Sequence, residues 1–148
     1  MAASVSKIDV WTGEMEDRPG TLDAKLQPLA AAGADLRFIL ARPQPDRPGR
    51  SVLFLGPIKG AKQTKAAEAA GLVPAPTLAA LHFEGPNKPG SASHVTRALA
   101  EAGINLRGLM AATIGTKFML LIAFNSGLDA EEALKVIKAS GKKAKAKK

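Results

Sequence analysis

Two five-residue stretches carry the side chains best suited to hold a small polar ligand: Asp17-Arg18-Pro19-Gly20-Thr21 and Asn87-Lys88-Pro89-Gly90-Ser91. They lie 70 residues apart. The same offset sets Leu29 on Leu99, Gly33 on Gly103, Asp35 on Asn105, Leu36 on Leu106 and Arg37 on Arg107. Agreement at one offset over so many positions marks a tandem duplication. The chemistry on offer is recognition by hydrogen bonds and charge. Gly20 and Gly90 let backbone approach a ligand closely, and a helix beginning just after them turns unpaired N–H groups and a partial positive charge toward a carboxylate. The same residues are also ordinary strand-to-helix turn chemistry, with Asx before Pro-Gly.

No other constellation competes. His82 and His94 have no carboxylates at metal-like or triad-like spacing and read as structural or surface histidines. The serines lack a Gly-X-Ser-X-Gly context. Gly56-Pro57-Ile58-Lys59-Gly60 is a glycine-flanked loop without the phosphate-loop pattern. Glu14, Glu16, Asp17, Glu131 and Glu132 read as solvated faces. The expectation is a protein with no catalytic residues, no metal and no cofactor.

Composition limits the rest. The 148 residues contain no Cys, which excludes a disulfide framework and thiol chemistry and fits a reducing compartment. No signal peptide and no run of 18 apolar residues is visible, so the expectation is a soluble cytoplasmic protein without membrane contact. Only six residues are aromatic, Trp11 and five Phe, so the core must be aliphatic. Five of the eight net positive charges belong to Lys142, Lys143, Lys145, Lys147 and Lys148, leaving +3 on the body. Residues 141–148 therefore read as a disordered lysine-rich tail, and nucleic acid is unlikely as a partner except through it.

The elements that must position the two stretches follow in order. Ser6 to Met15 reads as a strand with imperfect alternation. Pro19 suits the first turn of a helix whose inner face is Leu22, Leu26, Leu29 and Ala30. Pro28 predicts a kink or a broken last turn, and Gly33 a left-handed cap. Asp35–Arg42 and Ser51–Leu55 read as strands around a proline-rich turn. Ala61–Ala70 reads as a helix, and Leu72–Ala75 as an edge strand. The second copy repeats this: strand Thr77–Glu84, helix Ser91–Ala102 with Ala92, Val95, Leu99 and Ala102 inward, and a hairpin of Ile104–Thr113 with Lys117–Phe124. A helix from Leu128 follows, with no clear last strand. Phe118 to Ile122 are apolar on consecutive positions, which predicts burial on both faces.

The order β-α-β-β-α-β in about 70 residues gives the α+β ferredoxin-like sandwich, here in two tandem copies, 5–76 and 77–140, the second lacking a clear last strand. Units this small bury only about 60% of their unfolded surface, so each is expected to lean on a neighbour, and a homodimer is expected. The unfilled edge of the second copy is open to completion by another chain.

These residues resemble the ACT domains, small ferredoxin-like regulatory modules that bind amino acids at domain interfaces. The family pattern of a strand, Asn or Asp, one variable residue, Pro-Gly, a helix, a Gly and a hydrophobic strand occurs twice. It runs from Asn87 through Gly103-Ile104-Asn105-Leu106, and from Asp17 through Gly33-Ala34-Asp35-Leu36. The resemblance implies a non-catalytic sensor that binds an amino acid and regulates a partner enzyme. It assigns the ligand to Asn87 and Asn105, with Lys88, Pro89, Gly90 and Ser91 beside them. The equivalent residues of the first copy are Asp17, Arg18, Gly20, Thr21 and Asp35. An anionic side chain disfavours a carboxylate and favours an amine, so the two sites should not be equivalent. Gly85 stands where serine-sensing members carry His. Two other readings remain open, a nucleic-acid-associated protein acting through the lysine tail and a purely structural dimerisation module.

Overall fold

The computed structural model describes residues 3–76 and 78–146. Eight strands and four helices run in the order β1 (Ser4–Ile8), β2 (Trp11–Glu16), α1 (Thr21–Ala31), β3 (Phe38–Pro43), β4 (Arg50–Gly56), α2 (Gly60–Ala69), β5 (Val73–Pro74), β6 (Ala79–Pro86), α3 (Ser91–Glu101), β7 (Gly108–Ile114), β8 (Lys117–Phe124) and α4 (Gly127–Ala146). The chain is α+β and divides into two ferredoxin-like units. The first comprises Asp9–Pro76; the second joins the residues up to Ile8 to those from Thr77 onward.

The first unit has the sheet order β3-β4-β2-β5, all antiparallel. Alternation along β2 sends Trp11 and Met15 inward, and Leu53 and Leu55 of β4 join them in a core closed by Leu29, Ile58, Ala67 and Leu72. Gly13, between the two inward β2 residues, has no side chain because the Leu72 side chain comes too close: a Cβ there would lie 2.6 Å from Leu72 Cδ2.

The second unit has the order β1-β6-β8-β7. Phe118, Leu120, Ile122 and Phe124 of β8 face Leu81 of β6 and the helical residues Val95, Leu99, Ala130, Ala133 and Ile137. The expected two-sided burial of β8 is found in part. Leu121 is buried on the opposite face, as are its β6 neighbour His82 and Ala80, while Met119 is half-buried.

Several expectations are corrected. The single strand Ser6–Met15 is two strands that serve different sheets, which explains the broken alternation of Val5, Ile8, Val10 and Trp11. β1 pairs antiparallel with β6 from Ser4↔Glu84 to Ile8↔Ala80, filling the edge that the second copy lacks in sequence order. The first unit accordingly starts at Asp9 and not at residue 5. Pro19 sits in the turn before α1, because Gly20 occupies the N-cap position. Pro28 neither breaks nor ends α1, whose last turn is closed by Ala32 N–H donating to Pro28 O at 3.1 Å. Ala30 and Ala102 are exposed and take no part in the cores. Gly141 does not end the last helix: α4 continues to Ala146, where a disordered tail was expected from 141. The expected strand start at Thr77 lies outside the described residues.

Candidate ligand-binding turns

Both turns join the end of a strand to the start of an eleven-residue helix, β2 to α1 and β6 to α3. Their backbone geometry is the same. Gly20 has φ +89° and Gly90 φ +87°, the left-handed region that only glycine enters freely, and in both a Cβ would point into open space. A tether to the neighbouring hairpin fixes each turn: Asp17 N–H donates to Gly49 O and Asn87 N–H to Thr116 O, both at 2.9 Å. The hairpin in the second unit is a tight one, with Ile114↔Lys117 its last pair.

Thr21 and Ser91 are placed differently from expectation. The Thr21 hydroxyl donates to Glu16 O at 2.7 Å and lies 3.0 Å from Arg18 O. The Ser91 hydroxyl lies 2.8 Å from Lys88 O and 3.4 Å from Pro86 O, and accepts from Lys88 N–H at 3.3 Å. Equivalent atoms do equivalent work in each copy. These hydroxyls shape the turns from within, so they are not spare donors.

The helix starts remain available. Neither Gly20 nor Gly90 has a side chain to cap the first turn. Thr21 N–H and Ser91 N–H donate back to Arg18 O at 3.4 Å and Lys88 O at 3.1 Å; the N–H groups that follow in each first turn have no partner within the helix and can meet an acceptor arriving from solvent.

Charge separates the copies. Around the first turn stand Glu16, Asp17 and, in the first turn of α1, Asp23, which accepts from Gln27 Nε2 at 2.8 Å. Arg18 is spent on Glu16, Nε to Oε2 at 2.5 Å. That hydrogen bond, with the guanidinium charge behind it, holds the Glu16 carboxyl below its ordinary range. At the second turn the equivalent positions are Pro86, Asn87 and Ser93, and the first turn of α3 contains no acid. Among the described residues Lys88 makes no ion pair, so its charge is available to an arriving anion.

Asp35 and Asn105 lie elsewhere. They follow the glycine caps Gly33 and Gly103, where Ala34 N–H donates to Leu29 O and Ile104 N–H to Leu99 O, both at 3.0 Å. Ala34, Leu36, Ile104 and Leu106 turn into the cores, leaving Asp35 and Asn105 exposed between them. An eleven-residue helix is about 16 Å long. Asn87 and Asn105 of one unit therefore stand at opposite ends of α3, and a small molecule cannot touch both.

The sequence reading missed the carbonyls of Gly49 and Thr116, since a backbone contact leaves no residue-type signal. His94 is exposed on α3. His82 is buried in β6 with Nε2 3.7 Å from Glu84 Oε1. Among the described residues no three acidic or histidine side chains are grouped to hold a metal ion, and no helix is long and apolar enough to cross a membrane.

Residues 80–141 match the family model of the ACT domain. No curated protein sequence matches the chain. Among solved structures, a protein from Bacteroides thetaiotaomicron superposes with TM-score 0.74 at 15% identity, covering 91% of this chain and 89% of that one. The ligand-free regulatory subunit of aspartate kinase from Thermus thermophilus superposes with TM-score 0.64 at 18% identity, covering 95% and 97%. Escherichia coli aspartokinase III, in complex with aspartate and ADP, gives TM-score 0.57 at 14% identity, with 94% of this chain matched to 33% of the enzyme. The likeness to these structures is one of fold across both units, and the ACT family match falls on the second unit.

Proposed function

We propose that the chain is a non-catalytic regulatory protein that binds a free amino acid at the Asn87–Ser91 turn and acts on a partner enzyme as a homodimer. The observation that carries the reading is the charge difference between two turns of identical backbone geometry. The second combines an open Gly90, an uncapped α3 start, a neutral Asn87 and an unpaired Lys88, with no acid in the helix's first turn. That set accepts a carboxylate. The first turn, ringed by Glu16, Asp17 and Asp23, repels one and serves as structure.

In this reading the ligand carboxylate caps α3 and meets Lys88, and the Asn87 side chain takes the ammonium or a polar side group. The ACT match over residues 80–141 and the fold shared with an aspartate kinase regulatory subunit support a regulatory role. Signalling then requires that the ligand bind one arrangement of the partners better than another.

A thermal-shift screen against the amino acids tests this. A ligand at 100 times its Kd stabilises the folded state by about 2.7 kcal/mol, which is a rise of about 5–10 °C in a chain of this size. Asn87→Ala should abolish the shift and Asp17→Ala should leave it. A shift that survives Asn87→Ala, or none with any amino acid, contradicts the assignment.

A further inference from the structure

The first unit is an insertion. Its residues, Asp9–Pro76, interrupt the second unit between β1 and β6, so the strand that completes the second sheet is separated from its partner by the whole of the first. β1 has little hold of its own. It is five residues long, only Val5 and Ile8 are half-buried, and its ion pair, Lys7 with Glu131, is half exposed at both ends.

The state of the first unit sets how much chain β1 must close to pair with β6. When that unit is folded its two ends are tied to each other. Trp11 pairs with Pro74 and Thr12 with Val73, and Ala75 N–H donates to Val10 O at 2.9 Å. By way of that bond the path from β1 to β6 runs through Asp9, Val10 and residues 75–78, six in all. When the unit is unfolded, all 70 residues from 9 to 78 form one loop. The probability that a flexible loop closes falls as about the 3/2 power of its length, so a roughly tenfold longer loop lowers the β1–β6 pairing constant roughly thirtyfold.

We propose that the first unit is a clasp on the second: its folding, and any molecule that stabilises its folded form, holds β1 on β6 through chain connectivity and so sets the stability of the second unit. The Asn87 turn feels this directly. β6 ends at Pro86, the residue before Asn87, and Val5 of β1 packs against the core on which β6 and α3 are built. Release of β1 takes Val5 from that core and leaves β6 a bare edge. The coupling is reciprocal, so loss of β1 pairing loosens nothing within the first sheet but removes the second unit's share of the joint stability. The proposal needs no ligand and stands whether or not the Asn87 turn binds an amino acid.

The test unfolds the first unit alone in the full chain. Leu29→Asp places a charge at a fully buried position of that core. Trp11 fluorescence confirms the unfolding, and Leu53→Asp, at a second fully buried position, replaces it if the unit survives. Hydrogen exchange of the β6 and α3 amides then reads the second unit. Their protection is expected to fall roughly thirtyfold or more. The same substitution is then made in a permuted chain, with Ser4–Ile8 joined by a flexible linker after α4, the place that β5 takes after α2 in the first unit. There β1 no longer closes the long loop, and β6 and α3 protection is expected to be unchanged by Leu29→Asp. Unchanged protection in the natural order overturns the proposal. An equal loss in both orders overturns it too, because the coupling would then not run through connectivity.

Discussion

Deleting residues 1–8 should destabilise the second unit, although that unit's other elements all lie beyond residue 76. The deletion removes β1 and its five cross-strand partners on β6, Ser4↔Glu84 to Ile8↔Ala80. Cross-strand pairs contribute about 0.2–1 kcal/mol each, or about 1–5 kcal/mol together. Val5 leaves the core against which it is half-buried, costing roughly 1 kcal/mol more. The Lys7–Glu131 ion pair, half exposed at both ends, adds at most a few tenths. A loss of about 2–6 kcal/mol is a large share of the 5–15 kcal/mol that domains have. Urea unfolding followed by far-ultraviolet circular dichroism is the assay. Trp11, the only tryptophan and a residue of the first unit's core, reads that unit separately. The deletion should lower the dichroism midpoint, and a permuted chain with Ser4–Ile8 placed after α4 should recover it. A 9–148 chain as stable as the full one refutes the pairing of β1 with β6.

Three further outcomes follow from particular contacts. Gly56→Ala should destabilise by about 3 kcal/mol or more, because the added Cβ collides with the Asp9 carbonyl and neither is on a flexible side chain; the readout is Trp11 fluorescence in urea. Ser91→Ala removes the hydroxyl that ties Lys88 O and Lys88 N–H, and should cost about 1 kcal/mol while loosening the Asn87 turn, visible as faster amide exchange there. Arg18→Ala should raise the Glu16 titration midpoint toward 4.5, followed by carboxyl chemical shift. The sign follows from a depressed folded-state value: the Glu16–Arg18 contact stabilises above the unfolded carboxylate value and is lost as pH falls through the lower, folded one. Glu16 is fully exposed, so stability itself should barely move with pH through this group.

Much of this architecture could be read from residue types alone, and the rest fails for physical reasons. The common offset between Gly20 and Gly90, and between Gly33 and Gly103, was legible because left-handed positions at both ends of a helix restrict residue choice. The strand β8 and the helices built on Leu29 and Leu99 were legible because their apolar periodicity is local. β1 was not: five residues with Val5 and Ile8 carry no mark of a partner more than 70 positions away. The helix past Gly141 went unseen because glycine is a stop signal only where a left-handed cap forms, and α4 runs through it. At the site, the identity of the turns was legible and the roles of Thr21 and Ser91 were not, since a hydroxyl looks the same whether it faces a ligand or a carbonyl. The separation of Asn87 from Asn105 was implicit in the eleven residues between Ser91 and Glu101.

The most direct measurement of the central claim is a titration of the isotope-labelled full chain with an amino acid identified by thermal shift, followed on backbone amides. The account predicts progressive shifts at Gly90, Ser91 and Ala92, at the start of α3, and none at Gly20, Thr21 and Leu22, their counterparts on α1. Shifts at the first turn alone, or equal shifts at both, would contradict it.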